Sequence, residues 1–250
     1  MDMRYYNRLA AAWLRGMAER TGSLSFSREE LIRKRLEELS EEEVEEILEE
    51  GRRAGAKLYA FKKSHSEMPR VRRVLGFLRS VAFDSLLDVG SGRGVFLFPF
   101  LDSFPWTEVT AEDILPRRAE FLRDLSRGGL SRLHVSQEDI CRRPLPEKSV
   151  DVVTLLEVLE HIPDVEQAVK AAVDTARKYV VVTVPSKPDS NPEHIHLLTK
   201  QRLTELFQAA GCVRLHFDGV PGHLFMTGTC AAPAEAGPDP APGTEGGPGR

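Results

Sequence analysis

Leu86-Leu87-Asp88-Val89-Gly90-Ser91-Gly92-Arg93-Gly94 is the stretch that decides the fold of this chain. The apolar run that enters it, from Val81 to Val89 with Asp84 and Ser85 interrupting, predicts a buried β-strand. Glycines at 90, 92 and 94 end the run abruptly, and a helical pattern follows. A strand, a glycine turn and a helix start let a ligand approach the main chain, because glycine has no side chain to block it. Asp88 falls at the carboxyl end of the strand, the edge where open α/β sheets bind ligands. A dinucleotide fingerprint would place its third glycine one residue later, where the chain has Val95. A phosphate-cradling loop would close on Gly-Lys-Ser/Thr, which is absent.

The 250 residues around this stretch suffice for one substantial core and an accessory segment. A net charge of −4 argues against a general nucleic-acid-coating protein, while leaving room for a local RNA site. Cys141, Cys212 and Cys230 show no metal-site spacing and cannot all pair, so they read as thiols of a reducing compartment. No apolar run approaches the length of a membrane span, and the N-terminus lacks the apolar core of a signal peptide. A cytoplasmic setting is the expectation.

Residues 1–80 read as helices. Tyr5, Leu9, Ala12, Trp13 and Met17 form a stripe at helical spacing. Ser27 with Glu30 predicts a capping box ahead of Leu31 and Leu36, and Ser40 with Glu43 predicts a second. The helix opened by the second box is expected to present Val44, Ile47, Leu48, Ala54, Leu58 and Phe61 on one face. The acidic run from Glu41 to Glu50 would be its solvated side. Pro69 is placed to start the helix leading into the first strand. The basic residues Lys57, Lys62, Lys63, Arg70, Arg72, Arg73 and Arg79 read as a solvated face, with a phosphate-bearing substrate as the alternative.

From 81 to 230 strands alternate with helices, which predicts a largely parallel sheet covered on both faces. After the first, the strand candidates are Glu108–Glu112, Leu133–Val135, Val150–Leu156, Tyr179–Val184, Cys212–Phe217 and His223–Thr229. The gap at 218–222 between the last two is hairpin-like. Asp164 with Gln167 predicts a capped helix buried along Val165, Ala168, Val169, Ala172 and Val173. Residues 231–250 are dominated by Ala, Pro, Gly and Glu and are expected to be disordered.

The acidic residue two places before G-x-G-x-G resembles motif I of class I S-adenosylmethionine (SAM)-dependent methyltransferases. SAM has no pyrophosphate but has a charged amino-acid end, whose ammonium group suits Asp88. The segment Val109-Thr110-Ala111-Glu112-Asp113-Ile114 resembles the pattern Val-Thr-Gly-Val-Asp-Ile of that family, and Glu138-Asp139-Ile140 follows the third strand. Pro146 to Val153 matches the family's approach to its fourth strand. The resemblance implies a Rossmann-like α/β fold, a seven-stranded mostly parallel sheet with helices on both faces, plus an N-terminal helical cap. The resemblance covers 81–230 as a SAM-binding domain and leaves 1–80 unassigned; those N-terminal helices are expected either to cap the pocket as a lid or simply to pack against the sheet, and composition sets 231–250 apart as a tail. Asp88, Gly90, Gly92 and Gly94 would hold the amino-acid end of SAM and Asp113 the ribose. Asp139 and the Ile140 amide would hold the adenine, with Leu156 completing the cofactor set.

The stretch Leu156-Glu157-Val158-Leu159-Glu160-His161-Ile162-Pro163-Asp164 carries the acceptor chemistry. The Asn/Asp-Pro-Pro-Tyr/Phe of nucleic-acid N-methyltransferases is missing. The segment instead resembles the ubiquinone-biosynthesis O-methyltransferases. On a helix, Glu157, Glu160 and His161 at i, i+3 and i+4 would share one face. Some ubiquinone-type enzymes bind magnesium through this pattern, and RNA methyltransferases of the Hen1 type add a downstream histidine that His194 matches. Two carboxylates with imidazoles suit Mg²⁺ or Mn²⁺. A metal-free reading stands beside it, with His161 as general base and Glu157 as its catalytic neighbour. His65, His134, His216 and His223 have no such context.

The reaction expected is methyl transfer from SAM to a small-molecule acceptor at oxygen. One alternative is a metal-dependent RNA ribose 2′-O-methyltransferase of Hen1 type, with RNA the less favoured partner. The other is a non-catalytic SAM-binding regulatory module.

Overall fold

The structure is a computed structural model that describes residues 3–142 and 146–231, without the side chain of Lys63. The chain runs through α1 (Met3–Thr21), α2 (Glu30–Arg33), α3 (Glu41–Arg53) and α4 (Pro69–Leu78) before the first strand. The order continues β1 (Ser85–Val89), α5 (Leu97–Ser103), β2 (Glu108–Glu112), α6 (Pro116–Arg127), β3 (Leu133–Ser136) and β4 (Val150–Leu156). It closes with α7 (Val165–Thr175), β5 (Ala176–Pro185), α8 (Lys200–Ala209), β6 (Cys212–Val220) and β7 (His223–Cys230). The seven strands form one sheet in the order β3-β2-β1-β4-β5-β7-β6. Strands β1 to β5 pair in parallel, and β7 runs antiparallel between β5 and β6. The strand order reverses between β1 and β4, which opens a ligand crevice above their carboxyl ends.

Strand alternation divides the core into two layers. Leu86, Val109, Leu133, Val152 and Val181 face α1, α3, α4, α5 and α6. Leu87, Val153, Leu155, Val180 and Val182 face α7 and α8. The N-terminal helices therefore join the layer on one sheet face. Their packing is close: a Cβ added at Gly16 would fall on the carbonyl oxygen of Asp124 in α6, and one at Gly128 on that of Ala12 in α1. Arg20 of α1 bridges the same crossing to the buried Asp124 carboxylate at 2.7 Å, which Arg127 of α6 also pairs at 2.9 Å.

Helix termini follow local chemistry where nothing competes. Ser40 and Glu43 form the expected reciprocal cap, Pro69 takes the first turn of α4, and the Asp164 side chain accepts from Gln167 N. Ser27 departs from expectation. Its hydroxyl donates to Glu46 and Glu50 of α3, and the short α2 has no side-chain cap. The helix expected to reach Phe61 ends at Arg53, where Gly55 turns the chain with φ of 82°. Ala54, Leu58 and Phe61 thus lie beyond it, with Phe61 stacked on Phe98 at 5.3 Å. The first strand starts at Ser85 rather than Val81. The segment expected to be disordered lies, from 232 onward, outside the described residues. No helix among the described residues is long and apolar enough to cross a membrane.

Candidate active site

The glycine turn is built by positive φ angles. Gly90, Gly92 and Gly94 have φ of 67°, 60° and 79°, a region that side chains disfavour. A Cβ at Gly90 would also come within 2.6 Å of Val158, and one at Gly94 would strike the Phe98 ring. The turn is tied to the neighbouring strand end: Ser91 N donates to Glu112 O and Gly92 N to Asp113 Oδ2, at 3.1 and 2.9 Å. Gly94 N closes the turn on Ser91 O.

Asp88 lies beneath this turn, 3% exposed, with Oδ1 accepting from Thr154 Oγ1 at 2.7 Å. Burial pushes its carboxyl up to about 6, against the pull of that hydroxyl bond. Asp113 is equally buried; its Oδ1 accepts from Leu115 N, and Arg118 stands 3.7 Å from its Oδ2. Asp139 caps its own loop by accepting from Cys141 N and pairs with Arg142. Ile140 is buried against the α7 side of the sheet.

Two adjoining cavities open over these residues. The larger, about 910 Å³, is lined by Gly90, Asp113, Asp139, Ile140, Glu157 and His161, among others. The smaller, about 160 Å³, is floored by Asp88, Gly90 and Gly92 and walled by Leu156, Glu157 and the first turns of α4. Asp88, Gly90, Gly92, Asp113, Asp139, Ile140 and Leu156 all border one cavity or the other, whereas Gly94 supports the turn from behind. Asp151 sits apart at the start of β4, where it binds Asp84 N and Arg177.

On the far wall, Glu160, His161 and His194 converge, with one ligand atom from each within 4.8 Å of the others. The Glu160 carboxylate is fully buried, and neither oxygen has a hydrogen-bond partner. Burial raises its pKa to about 8, helped by the charges of Glu157 and Asp189 and opposed by Arg70. His161 Nδ1 lies 2.9 Å from the carbonyl of Glu193, which can only accept, so Nδ1 carries the proton and Nε2 keeps its lone pair. His194 donates Nδ1–H to Asp189 at 2.8 Å, leaving its Nε2 in the same condition. Such a donor set fits a divalent cation: a carboxylate without other partners and two oriented imidazoles.

Glu157 is not part of this group. The helical turn assumed from its spacing begins only at Leu159, as a 3-10 turn, and Glu157 itself has φ of 59°. Its carboxylate turns instead toward Thr183 Oγ1 at 2.8 Å and His223 Nε2 at 3.0 Å. The set of four expected to ligate a metal thus closes as three. His223 had no sequence context; β7 brings it to the site because it pairs with Pro185 at the carboxyl end of β5. Thr154 and Thr183 were likewise invisible, since each lies on a neighbouring strand far away in sequence.

With this geometry in view, the relatives are informative. Residues 87–179 match the family model described as a methyltransferase domain. Among solved structures, the YcgJ protein of Bacillus subtilis is 13% identical with a TM-score of 0.52, covering 64% of this chain and 98% of its own. A SAM-dependent methyltransferase from Aquifex aeolicus is 19% identical at TM-score 0.53, covering 67% and 93%. The methyltransferase domain of bacterial CtHen1-C is 20% identical at TM-score 0.55, covering 66% and 98%. At these identities the likeness speaks to the fold. No curated protein matches the chain. Residues 87–179 thus carry a methyltransferase domain, and the sheet order around them is the fold shared with the solved SAM-dependent methyltransferase of Aquifex aeolicus. The family match runs from the first strand into the fifth, and α1 to α4 precede it.

The cofactor fits the residues present. The glycines leave a cradle that a Cβ at Gly90 would fill, and the larger cavity has room for a nucleoside.

Proposed function

We propose that this methyltransferase acts on a hydroxyl oxygen of a small molecule, with a divalent ion held by Glu160, His161 and His194 beside the acceptor. The observation that carries the reading is the convergence of these three around a buried carboxylate that nothing else binds. SAM, when bound, supplies an activated sulfonium methyl group. The protein's own part is alignment and proton removal. Asp88 and the glycine turn would hold the amino-acid end, Asp113 the ribose, and Asp139 with Ile140 the adenine. Leu156 would border the methionine chain. Glu157, held by Thr183 and His223 where the two cavities meet, would position the acceptor against the methyl group. A divalent ion, when present, would lower the pKa of the acceptor hydroxyl.

The RNA reading draws on the likeness to CtHen1-C, but the basic 57–79 stretch offers it little. Arg73 pairs with Asp218 at 2.8 Å and lies over the Phe225 ring, and Arg79 binds Ser103. A cytoplasmic small molecule remains the acceptor we favour.

The test is Mn²⁺ uptake by EDTA-stripped protein, followed by electron paramagnetic resonance. One bound Mn²⁺ per chain, lost in Glu160→Gln and His194→Ala but kept in Glu157→Gln, is expected. No uptake by the wild type would overturn the ion and leave His161 Nε2 as the general base. Radiolabelled methyl transfer to a panel of phenols and to a 3′-hydroxyl RNA then separates the two acceptors.

A further inference from the structure

The last two strands bring two of the chain's three cysteines to one place. Cys212 opens β6 and Cys230 closes β7, and the antiparallel ladder sets them directly opposite each other. A regular register would not do this. From Val220↔His223 back to Arg214↔Thr229 the pairing runs one for one, and continued it would face Cys230 with Val213. A bulge at Val213 shifts the ladder by one residue, leaves Val213 exposed and puts Cys212 opposite Cys230 instead. Both side chains thereby enter the layer that faces α7 and α8.

The surroundings suit sulfur chemistry. Gly228 lies beneath the Cys212 sulfur, where a Cβ would stand only 2.9 Å from Sγ, so a side chain there would push the sulfur away. Cys212 donates its S–H to Cys230. That donation, with the charge of Lys148, holds the Cys230 thiol below the usual cysteine range in spite of burial. The Lys148 ammonium is fixed in place by donating to the carbonyls of Val173 and Ala176, at 3.1 and 3.0 Å. Directly opposed residues of an antiparallel pair lie about 4.5–5.5 Å apart at Cα, within the roughly 4.4–6.8 Å that a disulfide bridges. Both thiols are free. At 7% and 5% exposed they are reached through fraying at the end of β6, the edge strand of the sheet.

We propose that Cys212 and Cys230 form a reversible oxidation site, at which a hydroperoxide converts the thiol pair into a disulfide that staples β6 to β7. The Cys230 thiolate attacks one peroxide oxygen, the O–O bond breaks, and hydroxide leaves and takes up the proton the thiol released, giving a sulfenic acid and water. The Cys212 sulfur then attacks the Cys230 sulfur, the S–O bond breaks, and a second water leaves with the Cys212 proton. The two thiols lose two electrons and the peroxide gains them. The bond closes the open end of the β6–β7 hairpin, whose turn end carries His223 against Glu157. It sits at the amino end of β5, across the sheet from the cavities, so it acts on retention of the hairpin and is independent of the acceptor.

The test is hydrogen peroxide treatment of the folded full-length chain, in a Cys141→Ser background so that only the pair can react. Non-reducing peptide mapping should find the Cys212 and Cys230 peptides joined, with two hydrogens lost and no free thiol left. The oxidised protein should melt at least about 5 °C above the reduced one, and dithiothreitol should restore the lower value. Cys212→Ala should gain nothing from peroxide. If that variant fails to fold, the parent chain before and after dithiothreitol supplies the comparison within one molecule. Thiols that stay free, or that join only in urea, would overturn the proposal. So would sulfinic acid at Cys230 in place of a disulfide, a bridge between two copies of the chain, or a disulfide that leaves the melting temperature unchanged.

Discussion

Asp88→Asn is expected to stabilise the ligand-free protein while disabling it as a SAM binder. The side chain is 3% exposed inside the sheet, with the Thr154 hydroxyl answering Oδ1 and the Ser91 hydroxyl also favouring the charged form. Burial raises its carboxyl from the ordinary 3.8 to about 6. A rise of roughly two pH units corresponds to about 3 kcal/mol between protonated and charged forms. Because the folded state holds this proton more tightly than the unfolded chain, the associated stability is fully present below pH 3.8. It is lost as pH rises through about 6. At neutral pH the protein therefore carries the costly charged form, and asparagine reproduces the shape of the protonated one. In urea titrations at pH 7.5 the variant should exceed the wild type by up to about 3 kcal/mol, and the gap should close near pH 4. The ammonium of SAM favours the charged carboxylate, so wild-type affinity should fall below pH 6. Binding at pH 5.5 should release protons, seen as a buffer-dependent heat. A stability difference that does not change with pH, or a variant less stable at pH 7.5, would refute the reasoning.

Two further changes probe the scaffold. Gly16→Ala improves helix propensity by about 1 kcal/mol, yet the new methyl group meets the Asp124 carbonyl across the α1–α6 crossing. A net loss of about 2 kcal/mol is expected in chemical denaturation, and a neutral result would mean the crossing is looser than described. Ser40→Ala removes the hydroxyl that accepts from Glu43 N and should cost about 1 kcal/mol in the same assay, with no change in SAM affinity.

Much of this was legible in the chain, for a physical reason. Runs such as Val150–Leu156 are rich in β-branched residues and buried on both faces, so neither end is ambiguous, and the structure returns the same limits. The glycine turn announces itself because three alternate residues at positive φ, two of them with no room for a Cβ, favour glycine strongly. The N-terminal region was harder to read. Ser27 satisfies every local rule for a cap, but the carboxylates of Glu46 and Glu50, some twenty residues on, capture its hydroxyl first. At the site, the i, i+3, i+4 spacing of Glu157, Glu160 and His161 predicts a shared helical face. One left-handed residue, Glu157, is enough to turn its carboxylate away from Glu160 and toward a histidine sixty-six positions later. Sheet pairing across β5 and β7 determines that partner, and no periodicity reports it.

The backbone carbonyl of Glu160 accepts from Ile195 N at 2.9 Å and from His196 N at 3.3 Å. The loop carrying His194 is thus moored to the main chain of position 160, while the carboxylate that meets His194 belongs to the side chain of the same residue. The hydrogen bonds that hold the loop and the carboxylate that faces the histidines belong to different atoms of one residue. A substitution at 160 can therefore change what the far wall binds without setting the loop adrift. Single replacements at 160 would test the proposed cation site on an unmoved frame.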